Sequence, residues 1–341
     1  MLNMLEYVLD KPAEGEEAGG VSRRKGIIAW VLNLLSLDPP TSIDANENAR
    51  ATATFRGGTF SGRPFQTFSA ATTIPRPRFN RYDFGHIAMT YTALLTLHQL
   101  STPTSHVSAI LKSHSSPILN SLRPLQQPNG SFTACTNGCG SESDMRFTFC
   151  AVAICYLLGN NTFSSIDKDK VVGFIKACRS YEGGVGLVVG GEAHGGSTLC
   201  AVASLKLMGI LDEVVDEKWR GELINWCVMK QISGMQGRTN KVEDSCYSFW
   251  VGGTLKLLGG GVEKLLDKEK LDGYLMRAQH KKFGGFSKAI GDSPDVLHSF
   301  YSLAWLSVGK GEGEEGERGK LGNVDVALGC GGEVAKMFHF E

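Results

Sequence analysis

Four apolar segments recur along the chain at a fixed interval. Cys150–Gly159, Cys200–Gly209, Trp250–Gly259 and Phe300–Gly309 start fifty residues apart and align without a gap. An earlier copy, Thr90–Leu97, fits the same template after a longer spacer. Each segment is apolar almost all round, as a helix buried on most sides must be, and its final glycine suits the position just past a helix C-terminus. Between the copies run amphipathic stretches, Asp167–Ser180, Asp216–Gln231 and Val262–Gln279, with charge on one face. Glycine-rich turns follow at Asn129-Gly130-Ser131-Phe132, Glu182-Gly183-Gly184, Gln236-Gly237-Arg238 and Phe283-Gly284-Gly285-Phe286. One repeat is therefore outer helix, glycine turn, inner helix, and units of this length stack as helix pairs. An open array would leave one side of each inner helix wet, so the pattern predicts an all-α fold closed into an α/α toroid.

Outside the repeats, the apolar run Ile27–Leu37 predicts a helix, residues 39–81 read as a Ser/Thr/Pro/Arg-rich loop, and Lys310–Lys320 reads as a charged linker. With 42% hydrophobic and 21% charged residues, the 341-residue chain has ample material for a large core. Thirty-five basic residues balance 35 acidic ones, which argues against a nucleic-acid binder or a polybasic membrane surface. Ile27–Leu37 is too short to span a bilayer, and no leader pattern opens the chain, so a cytosolic address is expected. Nine scattered cysteines, several inside apolar helices, read as reduced core thiols.

The repeat register also locates candidate chemistry. Asp144, His194 and Asp244 stand six residues before the inner-helix landmarks, and Asp295 stands one place later in its copy. In a toroid these groups form an arc at one mouth, although Asp is also an ordinary N-cap. Asp244-Ser245-Cys246 adds a thiol, and His298, one turn into the next inner helix, can face the same space. Asp, Cys and His suit a three-ligand zinc site with the fourth position left for substrate; a core Cys and a satisfied core His are the plainer reading. Arg238 and Lys241, beside the bare glycine amides expected of His194-Gly195-Gly196 at a helix N-terminus, suit a diphosphate, where a solvated turn is the alternative. Phe147, Phe149, Tyr247, Phe249, Trp250, Tyr301 and Trp305 would be core or the wall of an aromatic well.

At these residues the sequence resembles the β subunits of protein prenyltransferases, whose toroid is also that of terpenoid cyclases. The likeness runs from Tyr82 to about Gly309. It is carried by Tyr82-Asp-Phe-Gly-His-Ile-Ala-Met-Thr-Tyr91, Ser143-Asp-Met-Arg-Phe147, His194-Gly-Gly-Ser-Thr198, Asn240-Lys241, Asp244-Ser-Cys-Tyr-Ser-Phe-Trp250 and Asp295-Val-Leu-His298. Gly85-His-Ile-Ala-Met-Thr-Tyr91, Ser197 and Lys288 resemble the type I geranylgeranyl branch. Farnesyl enzymes have an Asp that helps bind Mg²⁺ where Lys288 stands.

The resemblance implies a catalytic domain at 82–309, between an N-terminal helix and loop (1–81) and a charged linker (310–320) with a C-terminal segment (321–341). It implies Asp244, Cys246 and His298 as zinc ligands, with Mg²⁺ not required. His194, Gly195, Gly196, Arg238, Lys241, Tyr247 and Lys288 would hold the diphosphate, and Arg146, Phe149, Ser248, Phe249 and Trp250 the isoprenoid. The implied reaction is geranylgeranyl transfer from its diphosphate to the Cys of C-terminal CaaX boxes, commonly ending in Leu, on proteins such as small GTPases. The implied partner is an α subunit shared with farnesyltransferase. The start, Met1-Leu-Asn-Met-Leu5, matches the interior of a family helix, so upstream helices and a small residue that helps set lipid length lack a counterpart. Cys135-Thr-Asn-Gly-Cys139 reads as a surface loop. A farnesyltransferase β subunit and a non-catalytic toroidal interaction protein are the competing readings; a terpene cyclase would carry a D-x-D-D string, which is absent.

Overall fold

The computed structural model describes residues 27–32, 34–38, 52–55, 85–100, 106–135, 142–259, 261–310 and 321–332. The first residues, the linker at 311–320, Cys139 and nearly all of the loop expected at 39–81 lie outside the described residues. The chain forms two compact units that divide between Val171 and Val172.

The first unit holds α1 (Ile87–Leu100), α2 (His106–Asn120) and α3 (Met145–Leu157), with α1 packed beside α3. The helix expected over Ile27–Leu37 is shorter: residues 27–32 are helical, then the chain extends into β1 (Leu35–Asp38). β1 pairs antiparallel with β2 (Thr52–Phe55), Leu35 opposite Phe55. The reason is a partner distant in sequence. Thr52-Ala53-Thr54-Phe55 is rich in strand-forming residues, Ala53 and Phe55 are fully buried, and the Phe55 amide donates to Thr90 Oγ1 of α1 at 3.0 Å.

The second unit carries the repeats. Helix α4 (Lys168–Ala177) enters it, followed by α5 (Gly195–Leu207), α6 (Glu217–Val228), α7 (Tyr247–Leu257), α8 (Lys268–Ala278) and α9 (Val296–Val308). The inner helices α5, α7 and α9 pack side by side in that order. Eleven of the thirteen residues of α5 are buried, whereas α6 buries only Trp219, Leu223, Trp226 and Cys227, so inner and outer helices separate as their patterns require. The third outer stretch is not one helix: a single turn, Val262–Leu265, precedes α8, because Asp267 caps α8 through the Lys270 amide at 3.1 Å.

Gly159, Gly209 and Gly259 end their inner helices with φ of +69°, +71° and +78°, the left-handed residue of a Schellman close. At the first two, the 6→1 bond is present as well, Asn160 to Cys155 and Ile210 to Leu205. Gly309 departs from the pattern with φ of −86°. Eight described cysteines are free thiols, all buried except Cys135. No described helix is long and apolar enough to cross a membrane.

One buried group in the first unit predicts an acid response. Burial lowers the His98 imidazole from 6.5 to about 4, against a bond to the Leu157 backbone. A depressed folded pKa means the neutral ring is favoured in the native state. Its contribution is whole above pH 6.5 and is lost as pH falls from 6.5 towards 4, about 3 kcal/mol in all. Urea midpoints measured over that window should fall with decreasing pH, and His98→Phe should flatten the decline by one proton; an equally steep slope would refute the assignment.

Candidate metal centre and anion site

Asp144, His194 and Asp295 cap their helices, and Asp244 accepts an amide at the start of α7, whose N-cap is Cys246. Asp144 accepts the Arg146 amide at 2.8 Å, His194 Nδ1 the Gly196 amide at 3.0 Å, Asp244 the Cys246 amide at 3.0 Å and Asp295 the His298 amide at 3.0 Å. Capping does not exhaust their roles, since two of them take part in a further constellation.

Asp244, Cys246 and His298 each present one ligand atom, and these atoms lie within 4.8 Å of one another. Asp244 and Cys246 are buried at the start of α7, and His298 reaches them from the first turn of α9. His298 Nε2 is 3.3 Å from Asp244 Oδ1, while its Nδ1 contacts Asp295 Oδ2 at 2.5 Å. A carboxylate on Nδ1 fixes the tautomer and aims Nε2 at the site, the usual outer support of a metal-binding histidine. Against a burial penalty, bonds from the His298 amide and ring hold the Asp295 carboxyl below its ordinary range. Sequence reading placed Asp295 in the arc at the mouth or as a cap, without this supporting role; the Asp-x-x-His spacing at a helix start was the available signal. Asp295→Asn keeps a capping oxygen but loses the charge. It should weaken metal affinity about ten-fold or more in chelator competition, with little loss of stability.

Burial, followed by the Asp244 carboxylate, pushes the Cys246 thiol far up; the Trp250 indole and the Lys288 ammonium act in the opposite direction without reversing it. The donor set fits zinc, a borderline-soft ion that takes S, N and O ligands together.

Beside this centre, the Tyr247 hydroxyl lies 2.9 Å from His194 Nε2. Because Nδ1 accepts the Gly196 amide, the neutral ring carries its proton on Nε2 and donates it to Tyr247. The phenol O–H is left to donate outward. Burial, with Cys246 and Asp244 nearby, pushes Tyr247 up to about 12, so it stays protonated at neutral pH. The expectation of bare glycine amides is corrected: Gly195 N–H donates to the Gly237 carbonyl at 2.8 Å, and Gly196 N–H to His194. These glycines serve space instead. A Cβ on Gly237 would stand 2.1 Å from the Tyr247 ring, and one on Gly195 would stand 2.9 Å from it.

Arg238 pairs with Glu192 at 3.4 Å, Lys241 is exposed, and Lys288 is exposed with its carbonyl accepting the Ser245 amide at 2.9 Å, one residue from the metal ligands. Among the expected isoprenoid residues, Phe249 and Trp250 cluster with Tyr301, their ring centroids 5.4 and 4.4 Å from the tyrosine's. Ser248 is fully buried below them. Arg146 and Phe149 belong to the first unit, where Arg146 forks onto Asp144 and Phe149 meets Tyr91 edge-on at 5.4 Å. Trp305 is core, 1% exposed.

The prenyltransferase alpha-alpha toroid domain family matches residues 4–330. Geranylgeranyl transferase type-1 subunit beta of Arabidopsis thaliana is 41% identical over 240 residues, 67% of this chain and 60% of that protein. Its counterpart in Dictyostelium discoideum is 36% identical over 287 residues, 84% of this chain and 76% of that one. A solved structure, Candida albicans protein geranylgeranyltransferase-I complexed with GGPP, aligns with 99% of this chain and 89% of its own at a TM-score of 0.74 and 22% identity, which shows a shared fold. The matched stretch thus spans less than two thirds of the Arabidopsis relative, and three quarters of the Dictyostelium one. With a repeat of inner and outer helices, a toroid-family match along almost its whole length and relatives at this identity, the chain belongs to the prenyltransferase α/α-toroid family, in its geranylgeranyltransferase type I β-subunit branch.

Proposed function

We propose that this chain is the catalytic β subunit of a zinc-dependent, cytoplasmic protein geranylgeranyltransferase type I, working with an α subunit. The observation that carries the reading is the convergence of Asp244, Cys246 and His298 from two neighbouring inner helices. Zinc held by these three would supply acidification of an incoming CaaX cysteine thiol.

The chain's own residues do the rest. Transfer forms a bond between sulfur and C1 of the isoprenoid and breaks the C1–O bond. The diphosphate leaves with that electron pair, and the thiol proton passes to solvent. Tyr247 donates its O–H to a departing oxygen, with its ring held by Gly195 and Gly237 and its oxygen by His194. Arg238, Lys241 and Lys288 place positive charge where negative charge develops. Trp250 and Tyr301, backed by the buried Phe249, offer the isoprenoid an apolar wall that keeps water from the allylic carbon.

The test is co-expression with an α subunit and transfer to peptides ending in Leu or Met, from geranylgeranyl and farnesyl diphosphate, with and without Mg²⁺. Geranylgeranylation of the Leu peptide without Mg²⁺ is expected. A farnesyl preference that needs Mg²⁺ would establish the farnesyl alternative instead, and no transfer from either lipid would leave a non-catalytic toroid. Lys288→Asp should create Mg²⁺ dependence; a variant indifferent to Mg²⁺ rules out that role for the lysine.

A further inference from the structure

A buried cation lies behind the anion site. Lys230, in the turn after α6, is 4% exposed, and its ammonium donates to Thr239 Oγ1 at 2.6 Å while standing 4.9 Å from the Trp226 ring centre. Thr239 Oγ1 in turn donates to Glu182 Oε2 at 3.2 Å, and the same oxygen accepts the Trp226 indole N–H at 3.0 Å. Glu182 belongs to the preceding glycine turn. Lys230, Trp226, Glu182 and Thr239 therefore form a closed polar network spanning two successive repeats.

Thr239 is the second residue of the tight turn Arg238-Thr239-Asn240-Lys241. The Lys241 amide donates back to the Arg238 carbonyl at 3.3 Å, and Asn240 takes the left-handed φ of +60° that such a turn requires at its third position. Arg238 and Lys241, the two cations offered to the diphosphate, are the ends of this turn. Neither is buried: Arg238 pairs with an exposed carboxylate, and Lys241 is itself exposed. Gln236 holds the Lys241 carbonyl through its side-chain amide, and Thr239 ties the turn to the buried network below. A buried ammonium is costly unless fully bonded, so its retention under one threonine needs a reason.

We propose that Lys230 is a positioning residue: through Thr239 it holds the Arg238–Lys241 turn in the conformation that presents both cations to the diphosphate. At 4% exposure Lys230 cannot be reached by the ligand itself and acts only through the turn. The inference rests on the function proposed above, but it reads binding and not transfer.

The experiment measures affinity of the αβ complex for geranylgeranyl diphosphate and for uncharged geranylgeraniol, together with urea stability, in wild type, Lys230→Met, Thr239→Val and Thr239→Ser. Lys230→Met and Thr239→Val should each weaken the diphosphate roughly ten-fold and leave the alcohol unchanged. Thr239→Ser should restore wild-type affinity, and the double variant should be no worse than either single one. If Lys230→Met is too unstable to purify, Thr239→Val with its serine rescue decides alone. Loss of stability with unaltered diphosphate affinity, or equal loss for diphosphate and alcohol, would overturn the positioning role while sparing the proposed function. Failure of the wild-type complex to bind the diphosphate at all would remove both.

Discussion

Purified wild-type protein should carry about one tightly held zinc per chain, and Cys246→Ala should carry none, with prenyl transfer reduced by about a thousand-fold or more. The size of the effect follows from what the mutation takes away. Three protein ligands are the minimum for a closed-shell ion at a catalytic site, and the thiolate is the strongest of them. Removing it leaves one carboxylate and one imidazole on separate helices. Stability of the metal-free protein should hardly respond. Without metal, burial and the adjacent Asp244 carboxylate already hold Cys246 protonated, so alanine there removes a small, neutral, buried group. The metal-free forms of wild type and variant should then differ by only about 1 kcal/mol in urea. Zinc counts by atomic spectroscopy, beside urea curves of both metal-free forms, separate loss of metal from loss of fold. Retention of a full equivalent of zinc by Cys246→Ala would refute the site.

Much of this was legible in the sequence because the repeat is gapless. A constant spacing turns side-by-side packing of α5, α7 and α9 into simple register arithmetic, which puts Asp244, Cys246 and His298 within reach of one another. The same arithmetic identified the glycines that close α3, α5 and α7. What the register could not show were features fixed by residues outside it. The β1–β2 hairpin depends on pairing with a strand embedded in a Ser/Thr-rich stretch that has no apolar periodicity of its own. The Gly195 and Gly196 amides were read as free because their acceptors, the Gly237 carbonyl and the imidazole of His194 itself, are set by the fold of the neighbouring turn. Lys230 ends an amphipathic stretch and Glu182 opens a glycine turn, with nothing in the register to single them out; the burial of Lys230 and the bonds of Glu182 to Trp226 and Thr239 mark them. Trp305 was open to two readings in the sequence. Its aromatic character allowed either core or the wall of a well, and burial decides for core, with an indole bond to Asp272 at 3.3 Å.

That tryptophan sets up the second large effect, Gly252→Ala. Gly252 is buried in α7, and a methyl built on it would lie 2.1 Å from Trp305 Cζ3 and 2.7 Å from Cε3. Neither side can give way easily. The glycine sits mid-helix between α5 and α9, and the indole is pinned to Asp272 of α8. The added carbon must therefore push α7 from α9 or eject the ring, a loss of about 3 kcal/mol or more. Two other glycines separate this steric cost from backbone effects. Gly209 has open space but a φ of +71°, so Gly209→Ala should cost about 1–2 kcal/mol through strain alone. Gly173 lies exposed in α4 with nothing within 4 Å of a new methyl, so Gly173→Ala should stabilise by about 0.5–1 kcal/mol. Urea midpoints should thus rank Gly173→Ala above wild type, then Gly209→Ala, with Gly252→Ala far below. Shrinking the ring in Gly252→Ala/Trp305→Leu should recover part of the Gly252→Ala loss, because the two residues compete for one volume. Because the proposed ligands Cys246 and His298 stand at the starts of α7 and α9, the same substitution should also weaken zinc binding. A Gly252→Ala protein with wild-type stability and full zinc would mean that these two helices do not approach as closely as the glycine requires.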